Sequence, residues 1–508
     1  MSEAGPLVLG IDLGTGSSKG VLATLEGKVV ATATVPRPSS MSLPRPGWAE
    51  VDAEAVWWTD VCSIGRQLAA QAAHRACTVA ALCVSGVGPC LLPTDARAVP
   101  LRPAILYGID MRATAEIDEL TRRYGDDTVL QVAGTPLTTQ AVGPKALWLR
   151  HNEPEVWSRT REWHTSTSYV VRRLTGEYVM DHHTASQSVP LYDLARESWH
   201  SSWYGEVMGD VPAPRLAWGS EVVGSVSEAA AAETGLPAGT PVCAGTVDAW
   251  AEALSAGVSD PGDLMVMYGS TMFFVQVVDR PAAHPLLWNT TGVMPGSRTR
   301  AAGMATSGSI TTWLQDLVGG AGFETLQAEA AAVPPGSDGL LLLPYFAGER
   351  TPIFDPQASG VLAGLTLRHT RGHLLRATYE ATGHAVRQIV DLLDDVATPV
   401  RRIVAVGGGT QGGLWPQIVS DVSGREQLVP TETIGASYGD ALIAAVGAGL
   451  VPATTSWATE DRVVEPRTAL SELYAGMHAD YQALYESTRP VVHRLAELRQ
   501  RNAAMGRT

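Results

Sequence analysis

The 508-residue chain has 52 acidic and 37 basic residues, a formal charge of −15, and is 45% apolar and 18% charged. That length accommodates two or three domains with sizeable cores. The acidic balance argues against nucleic acid or an anionic membrane as partner, since both need a basic surface.

A phosphate ligand stays open, because it needs only local donors. Cys62, Cys77, Cys83, Cys90 and Cys243 form no CxxC pair and no His-rich cluster, and read as core thiols of a reducing compartment. No signal peptide is recognised, and no apolar run approaches the roughly 20 residues of a membrane span. A cytoplasmic protein is expected.

Residues 7–20 are the most informative segment. An apolar strand, 7–12, delivers Asp12 into a turn of glycines and small hydroxyl residues, and a second strand follows at 21–25. Such a turn lets backbone N–H groups approach phosphate oxygens while Asp12 holds a metal ion or its water. A Walker A loop would need Gly-Lys-Ser/Thr leading into a helix, and a Rossmann turn a third glycine where Lys19 stands. Neither matches. A plain hairpin fits the same residues.

A further strand is expected at 29–35, then a proline-rich loop at 36–46, a helix at 54–73 and a strand at 79–84 ending in Ser85-Gly86-Val87-Gly88-Pro89. A short strand, 103–106, precedes Asp110 and Arg112, which suit either sugar hydroxyls or helix capping. Residues 144–151 read as helix and 190–214 as proline-broken loops.

Gly245-Thr246-Val247-Asp248-Ala249 joins a strand, 241–244, to an alanine-rich helix, 249–256. Asp248 suits a general base that accepts a proton from a substrate hydroxyl attacking phosphorus. It equally suits a helix N-cap. Strands at 263–268 and 272–278 flank Tyr268-Gly269-Ser270-Thr271, which repeats the strand-turn-strand pattern around Asp12. Two such turns suggest a duplicated domain gripping phosphates.

Gly348-Glu349-Arg350-Thr351-Pro352 reads as a ligand loop or a surface turn. A helix is expected at 373–394, then a strand at 402–406 running into Gly407-Gly408-Gly409, which could admit a nucleotide or merely form a tight turn. Residues 434–447 form a small, apolar helix, and the tail after Thr468 one long surface helix.

Taken together, these motifs resemble the FGGY family of carbohydrate kinases over nearly the whole chain. The resemblance rests on Asp12-Leu13-Gly14-Thr15, Gly245–Asp248, Tyr268–Thr271, the segment from Gly360 through Glu380, and Gly407–Gly409. Gly348–Pro352, 102–106 and Leu174-Thr175-Gly176-Glu177 look closest to xylulokinase-like members.

It implies an α/β fold of two actin-like ATPase (ribonuclease H-like) domains with a catalytic cleft between them. Residues 1–245 would be the N-terminal domain, 246–485 the C-terminal domain, and 486–508 a terminal helix and tail. It further implies ATP and Mg²⁺ as cofactors, a small sugar or polyol as substrate, D-xylulose first, and is compatible with a homodimer.

Asp12 would organise the metal and Asp248 would be the base. Gly14, Thr15, Ser17, Ser18 and Lys19 would line one side of the phosphates, and Gly269, Ser270 and Thr271 the other. Gly408 and Gly409 would bind adenosine, and Asp110 would lie in the sugar pocket with Gly88 and Pro89. The last two replace a Met-His pair of xylulokinases, which puts the sugar's identity in question. Gly412 replaces an asparagine of the adenosine motif. A non-kinase ATPase of this fold would keep Asp12 without a sugar-dependent base, and a sensor would have lost Asp12 or Asp248.

Overall fold

The computed structural model describes residues 5–37, 41–320, 322–430 and 434–505. It divides into two compact units. The first comprises Met1–Ser259, Pro281–Thr299 and Ile434–Ala458, and the second Asp260–Arg280, Arg300–Thr433 and Thr459–Thr508. Residues 38–40 of the expected proline-rich loop and 506–508 of the tail lie outside the described residues. No described helix is long and apolar enough to cross a membrane.

In the first unit the strand Pro6–Leu13 is almost continuously buried, because it is covered on both faces. It pairs antiparallel with Ser17–Ala23 and parallel with Thr78–Gly86. Ser17–Ala23 continues antiparallel to Val29–Pro36. Beyond Thr78–Gly86 come Pro241–Cys243 and, at the strand's far end, Thr246–Val247, both parallel to it.

Glycine allows helices to lie close on each face. A Cβ at Gly20 would stand 2.3 Å from Ile64 Cγ2 of the helix Thr59–His74. On the opposite face, a Cβ at Gly10 would stand 1.9 Å from the Ser437 carbonyl and 2.4 Å from the Ala441 nitrogen of the helix Ala436–Gly447. That helix is apolar and small-sided, so its backbone lies against the strand, and distant sequence completes the first unit's core.

The second unit repeats the plan. Asp263–Tyr268 pairs antiparallel with Met272–Val278 and parallel with Arg402–Val406, as Pro6–Leu13 pairs with Ser17–Ala23 and Thr78–Gly86. Gln427–Pro430 and Glu460–Val464 extend this sheet. The helix Arg371–Asp395 opens on a Thr370–His373 capping box. It carries a buried Arg376–Glu380 pair, and Glu380 also accepts from Gly336 N, Ser337 Oγ and Tyr474 OH.

Three segments differ from their sequence-based expectations. The second strand begins at Ser17 rather than at Val21, since it pairs from its first residue with Pro36. The expected helix at 54–73 starts as a π-turn, Ala53–Trp58, capped by Asp52 accepting from Ala55 N. Within the supposed loops at 190–214, Ser201–Met208 is a helix whose first turn is held by His200 accepting from Trp203 N. The final helix, Ser471–Met505, is the long helix expected after Thr468.

Gly10→Ala tests the close helix–strand approach. With backbone atoms inside 2.5 Å of the new methyl, it should cost about 1–3 kcal/mol or more. Urea denaturation would read this as a lower midpoint at unchanged slope. A midpoint equal to that of the parent would show that the Ala436–Gly447 helix can move away freely.

Candidate active site

Two acid-bearing segments end side by side on one strand. In the parallel pairs, Ser85 stands opposite Asp12 on one side and opposite Thr246 on the other, and Gly86 stands opposite Val247. Asp12 and Asp248 therefore emerge at the carboxyl ends of parallel strands, the usual location of ligand sites in α/β sheets. The chain reverses sharply before Asp248. Gly245 has φ +77°, and a Cβ there would stand 2.0 Å from the Val84 carbonyl, so only glycine fits.

Asp248 is the first residue of the helix Asp248–Ser255, with Val247 as N-cap. It is thus not the capping residue itself, although its Oδ1 accepts from Ala249 N at 2.7 Å. Burial lifts its carboxyl to about 7, the Ala249 hydrogen bond opposes this, and Glu252, one turn along the helix, adds to it. Asp12 is raised well above the ordinary carboxylate range by burial, then by the charges of Asp248 and Glu252, against the pull of Lys19 and Arg37. Its Oδ1 is sealed from solvent without a hydrogen-bond partner.

Two further acids belong to this cluster, and the sequence reading missed both. Burial raises Glu252, which Lys19 and a hydrogen bond from Ala436 N moderate. Asp440, wholly buried, is raised by burial and by the charges of Asp12 and Asp248, while Ser85 Oγ donates to its Oδ2 at 2.6 Å. A lone acid inside the small apolar run 434–447 was the available signal.

The turn after Asp12 is shorter than the motif suggested. Gly14, Thr15 and Gly16 form it, whereas Ser17, Ser18 and Lys19 already belong to the next strand, with Lys19 opposite Asp12. Ser18 is fully buried, and its hydroxyl accepts from Arg37. It faces the protein rather than a ligand. Arg37 also bonds the Gly14 carbonyl at 3.3 Å and Asp60 at 2.7 Å, fastening the turn from below. Thr15 Oγ1 lies 3.3 Å from the hydroxyl of Tyr107.

Gly88 and Pro89 follow the Thr78–Gly86 strand, and a Cβ at Gly88 would stand 3.1 Å from Val247 Cγ2, beside Asp248. Asp110 is fully engaged by the protein. Its Oδ2 accepts from Ala49 N at 2.7 Å and from Arg112 Nη2 at 2.7 Å, and Arg112 also pairs with Glu50 at 2.7 Å. The Arg112 guanidinium stacks on Trp48 and Trp148, 4.0 and 5.1 Å from their centroids. Asp110 thus holds a loop, and its charge is not offered to a sugar.

Lys145, buried, donates to the Thr139 and Ala141 carbonyls at 2.5 and 3.3 Å, and burial brings its amine down to about 8. Gly108 is bound to this same 138–141 segment, its N–H donating to Gln140 and its carbonyl accepting from Thr139.

In the second unit, Gly269, Ser270 and Thr271 form the hairpin turn, with Gly269 N donating to the Thr271 carbonyl at 3.1 Å. The amides of Ser307, Gly308 and Ser309, at the start of the helix Gly308–Leu317, donate to carbonyls of this turn. The buried hydroxyls of Ser307 and Ser309 have no partner there, a polar feature that no sequence motif marked. Gly408 and Gly409 open a single 3₁₀ turn, Gly408–Thr410. A Cβ at Gly409 would stand 2.7 Å from the Trp415 ring, which stacks on Tyr379 at 5.0 Å. Gly412 packs against Gln327, where a Cβ would meet its Nε2 at 2.6 Å.

A duplicated strand-turn-strand fold with paired carboxylates at one strand end suits phosphoryl transfer. Comparison with known families makes this specific: residues 7–255 match the N-terminal domain of the FGGY family of carbohydrate kinases, and residues 264–448 match its C-terminal domain. The chain belongs to that family.

Among its relatives, a xylulose kinase of Escherichia coli is 30% identical over 87% of this chain and 90% of its own length. One from Streptomyces rubiginosus is 32% identical over 85% and 86%. The crystal structure of xylulose kinase from Rhodospirillum rubrum superposes with a TM-score of 0.89 at 33% identity, covering 96% of this chain and all of that one. A Plasmodium falciparum glycerol kinase with ADP shares the fold, with a TM-score of 0.86 at 19% identity over 96% of this chain and 99% of its own.

The buried acids give a pH signature. An ordinary aspartate ionises near pH 3.9, so between there and about 7 the unfolded chain loses the Asp248 proton before the folded one does. Stability is therefore fully present below the unfolded value and falls as pH rises toward 7. In metal-free buffer, Asp248→Asn should be more stable than the parent at pH 8, on the order of 1–3 kcal/mol. The difference should fade toward pH 4. Thermal unfolding across that range reads it, and a pH-independent difference would contradict it.

Proposed function

We propose that the chain is an ATP-dependent kinase that transfers the γ-phosphoryl group to a hydroxyl of a small ketose, with D-xylulose as the first acceptor. Another ketose or a polyol, such as ribulose or glycerol, is the alternative. One observation carries the reading: Asp248, at the first turn of a helix beside Asp12, has its carboxyl lifted to about 7. A base is most effective when its pKa lies near the working pH. Family membership and the xylulose kinases among the relatives support the reaction and the first choice of sugar.

Asp248 takes the proton of the acceptor hydroxyl as that oxygen bonds to the γ-phosphorus and the bond to the ADP oxygen breaks. Glu252 keeps the Asp248 carboxyl basic by adding negative charge beside it. Gly14 and Thr15 give the phosphates a turn without bulky side chains, and Lys19 places a cation opposite Asp12. Gly269, Ser270 and Thr271 would contribute phosphate contacts, and Gly408 and Gly409 an adenosine surface.

Asp12 suits a divalent cation. Its sealed oxygen lacks a partner, and neighbouring acids press on it. Among the described residues, no group of three or more His, Cys, Asp or Glu could hold an ion unaided. Mg²⁺ keeps several waters and shares phosphate oxygens, so one or two protein carboxylates are enough to hold it. When bound, it would neutralise negative charge on the phosphates.

Asp248→Ala should lower transfer by about 10²–10⁴-fold while ATP and sugar still bind. Coupled ADP-release kinetics and calorimetry would check the two parts separately, and a variant within about tenfold of the parent rate would refute the base assignment. Acceptor choice is open to a screen of ketoses and polyols. Gly88 and Pro89, which carry no side-chain donor, should weaken the preference for xylulose. A sharp preference for that sugar would remove these two from the specificity determinants.

A further inference from the structure

Ser85 occupies a position that neither the motif nor the reaction has used. It is completely buried in the strand Thr78–Gly86, and its backbone stands in register with Asp12 on one neighbour and with Thr246, two residues before Asp248, on the other. Whatever fixes Ser85 thus fixes the common reference for both acid-bearing strand ends. On the side that leads to Asp248 the ladder is short, since Thr246–Val247 contributes only two residues to it.

The anchor comes from the helix Ala436–Gly447. Asp440, itself wholly buried, receives the Ser85 hydroxyl on Oδ2 at 2.6 Å, and Cys83 Sγ lies 3.9 Å from Oδ1. The helix cannot drift with its aspartate. Its backbone lies against Gly10, where the Asp440 Cβ would be 2.8 Å from an added methyl, and Gly439 lies against the Ala251 carbonyl of the Asp248–Ser255 helix, 1.9 Å from where its own Cβ would stand. One helix therefore touches the strand that carries Asp12, the strand between the two acids and the helix that carries Asp248.

We propose that Asp440 and Ser85 form a positioning pair that sets the spacing of Asp12 and Asp248 for phosphoryl transfer, acting through the backbone of the Thr78–Gly86 strand. An aspartate in a helix otherwise made of small and apolar residues would be costly without a task, because a buried carboxyl must be hydrogen-bonded to be tolerated. Both side chains of the pair are fully buried. The pair fixes where the reacting groups stand, and a displacement on the order of 1 Å can cost about 10²-fold in rate.

The inference rests on the kinase reading above, and the parent enzyme serves as the control that separates the two. With the sugar that the parent phosphorylates best, Ser85→Ala should lower kcat about 10- to 100-fold while KM for ATP and for the sugar each change less than about threefold. Asp440→Asn, which can still accept the Ser85 hydroxyl, should retain activity within about threefold, whereas Asp440→Leu should match Ser85→Ala. The double variant Ser85→Ala with Asp440→Leu should be no worse than either alone.

A Ser85→Ala enzyme within about twofold of the parent kcat would overturn the inference. So would single effects that multiply in the double variant, or a loss that active-site titration traces entirely to a smaller folded fraction. If Asp440→Leu does not fold, Ser85→Ala and Asp440→Asn decide between these outcomes. A parent enzyme that transfers phosphate to no sugar would overturn the kinase reading itself, and this inference with it.

Discussion

Crowding of negative charge at the end of one strand is the constraint to which the rest of the first unit responds. Asp12, Asp248, Glu252 and Asp440 act electrostatically on one another, and burial raises every one of them. Ionised carboxyls withdrawn from water are tolerated only where charge or hydrogen bonds compensate. Here Lys19, opposite Asp12, lowers Asp12 and Glu252, and Ser85 lowers Asp440. What remains uncompensated is the sealed oxygen of Asp12. A buried oxygen without a partner is costly, and it is the group on which the proposed Mg²⁺ site rests.

Holding these acids together requires close backbone packing, which explains residues that look unremarkable in isolation. Gly10, Gly245 and Gly439 each stand where a methyl would fall at about 2 Å from a carbonyl oxygen. The helix Ala436–Gly447 is rich in Ala and Gly for the same reason. Rigidity elsewhere comes from ion pairs rather than bulk. Asp110, Arg112 and Glu50 form a buried ion-pair network, with the Arg112 guanidinium over Trp48 and Trp148, that secures the 107–112 loop. Removing one partner of such a buried network typically costs about 3–5 kcal/mol.

The central strands were legible because they are uninterrupted apolar runs that end in glycine turns, and the strands around Tyr268–Thr271 fall where the sequence places them. Asp248 was legible through the glycine-bearing turn before it. The sequence did not disclose which side of a strand a polar residue faces. Ser18 sits among ligand-like neighbours in the motif, but strand alternation turns it inward toward Arg37.

Asp110 likewise carries the right chemistry for a sugar and is occupied by Arg112 and Ala49 N. Asp440 was missed for the opposite reason. Its partners lie more than 350 residues away in the chain, and no local pattern records a contact of that span. The helix Ser201–Met208 was obscured by flanking prolines, although none lies within it.

Differences in environment sort the acids into separate tasks, as paired carboxyls in one site must be sorted if each is to do something distinct. Asp440 is the most enclosed, and hydrogen bonds from Ser85 are what oppose its burial. That suits a group that stays put and holds a strand. Asp248 is half-buried at a helix N-terminus, where the Ala249 amide steadies its charge. That suits a group that takes a proton near neutral pH and releases it again.

Asp12 alone is faced by both Lys19 and Arg37 and still keeps an unsatisfied oxygen. It is the carboxyl that the proposed mechanism assigns to the metal. Glu252 belongs to neither strand end. It bonds the first amide of the helix that carries Asp440 while sharing a helix with Asp248. The two carboxyls from outside the family motifs, Glu252 and Asp440, thus tie together the elements that present the two from inside them.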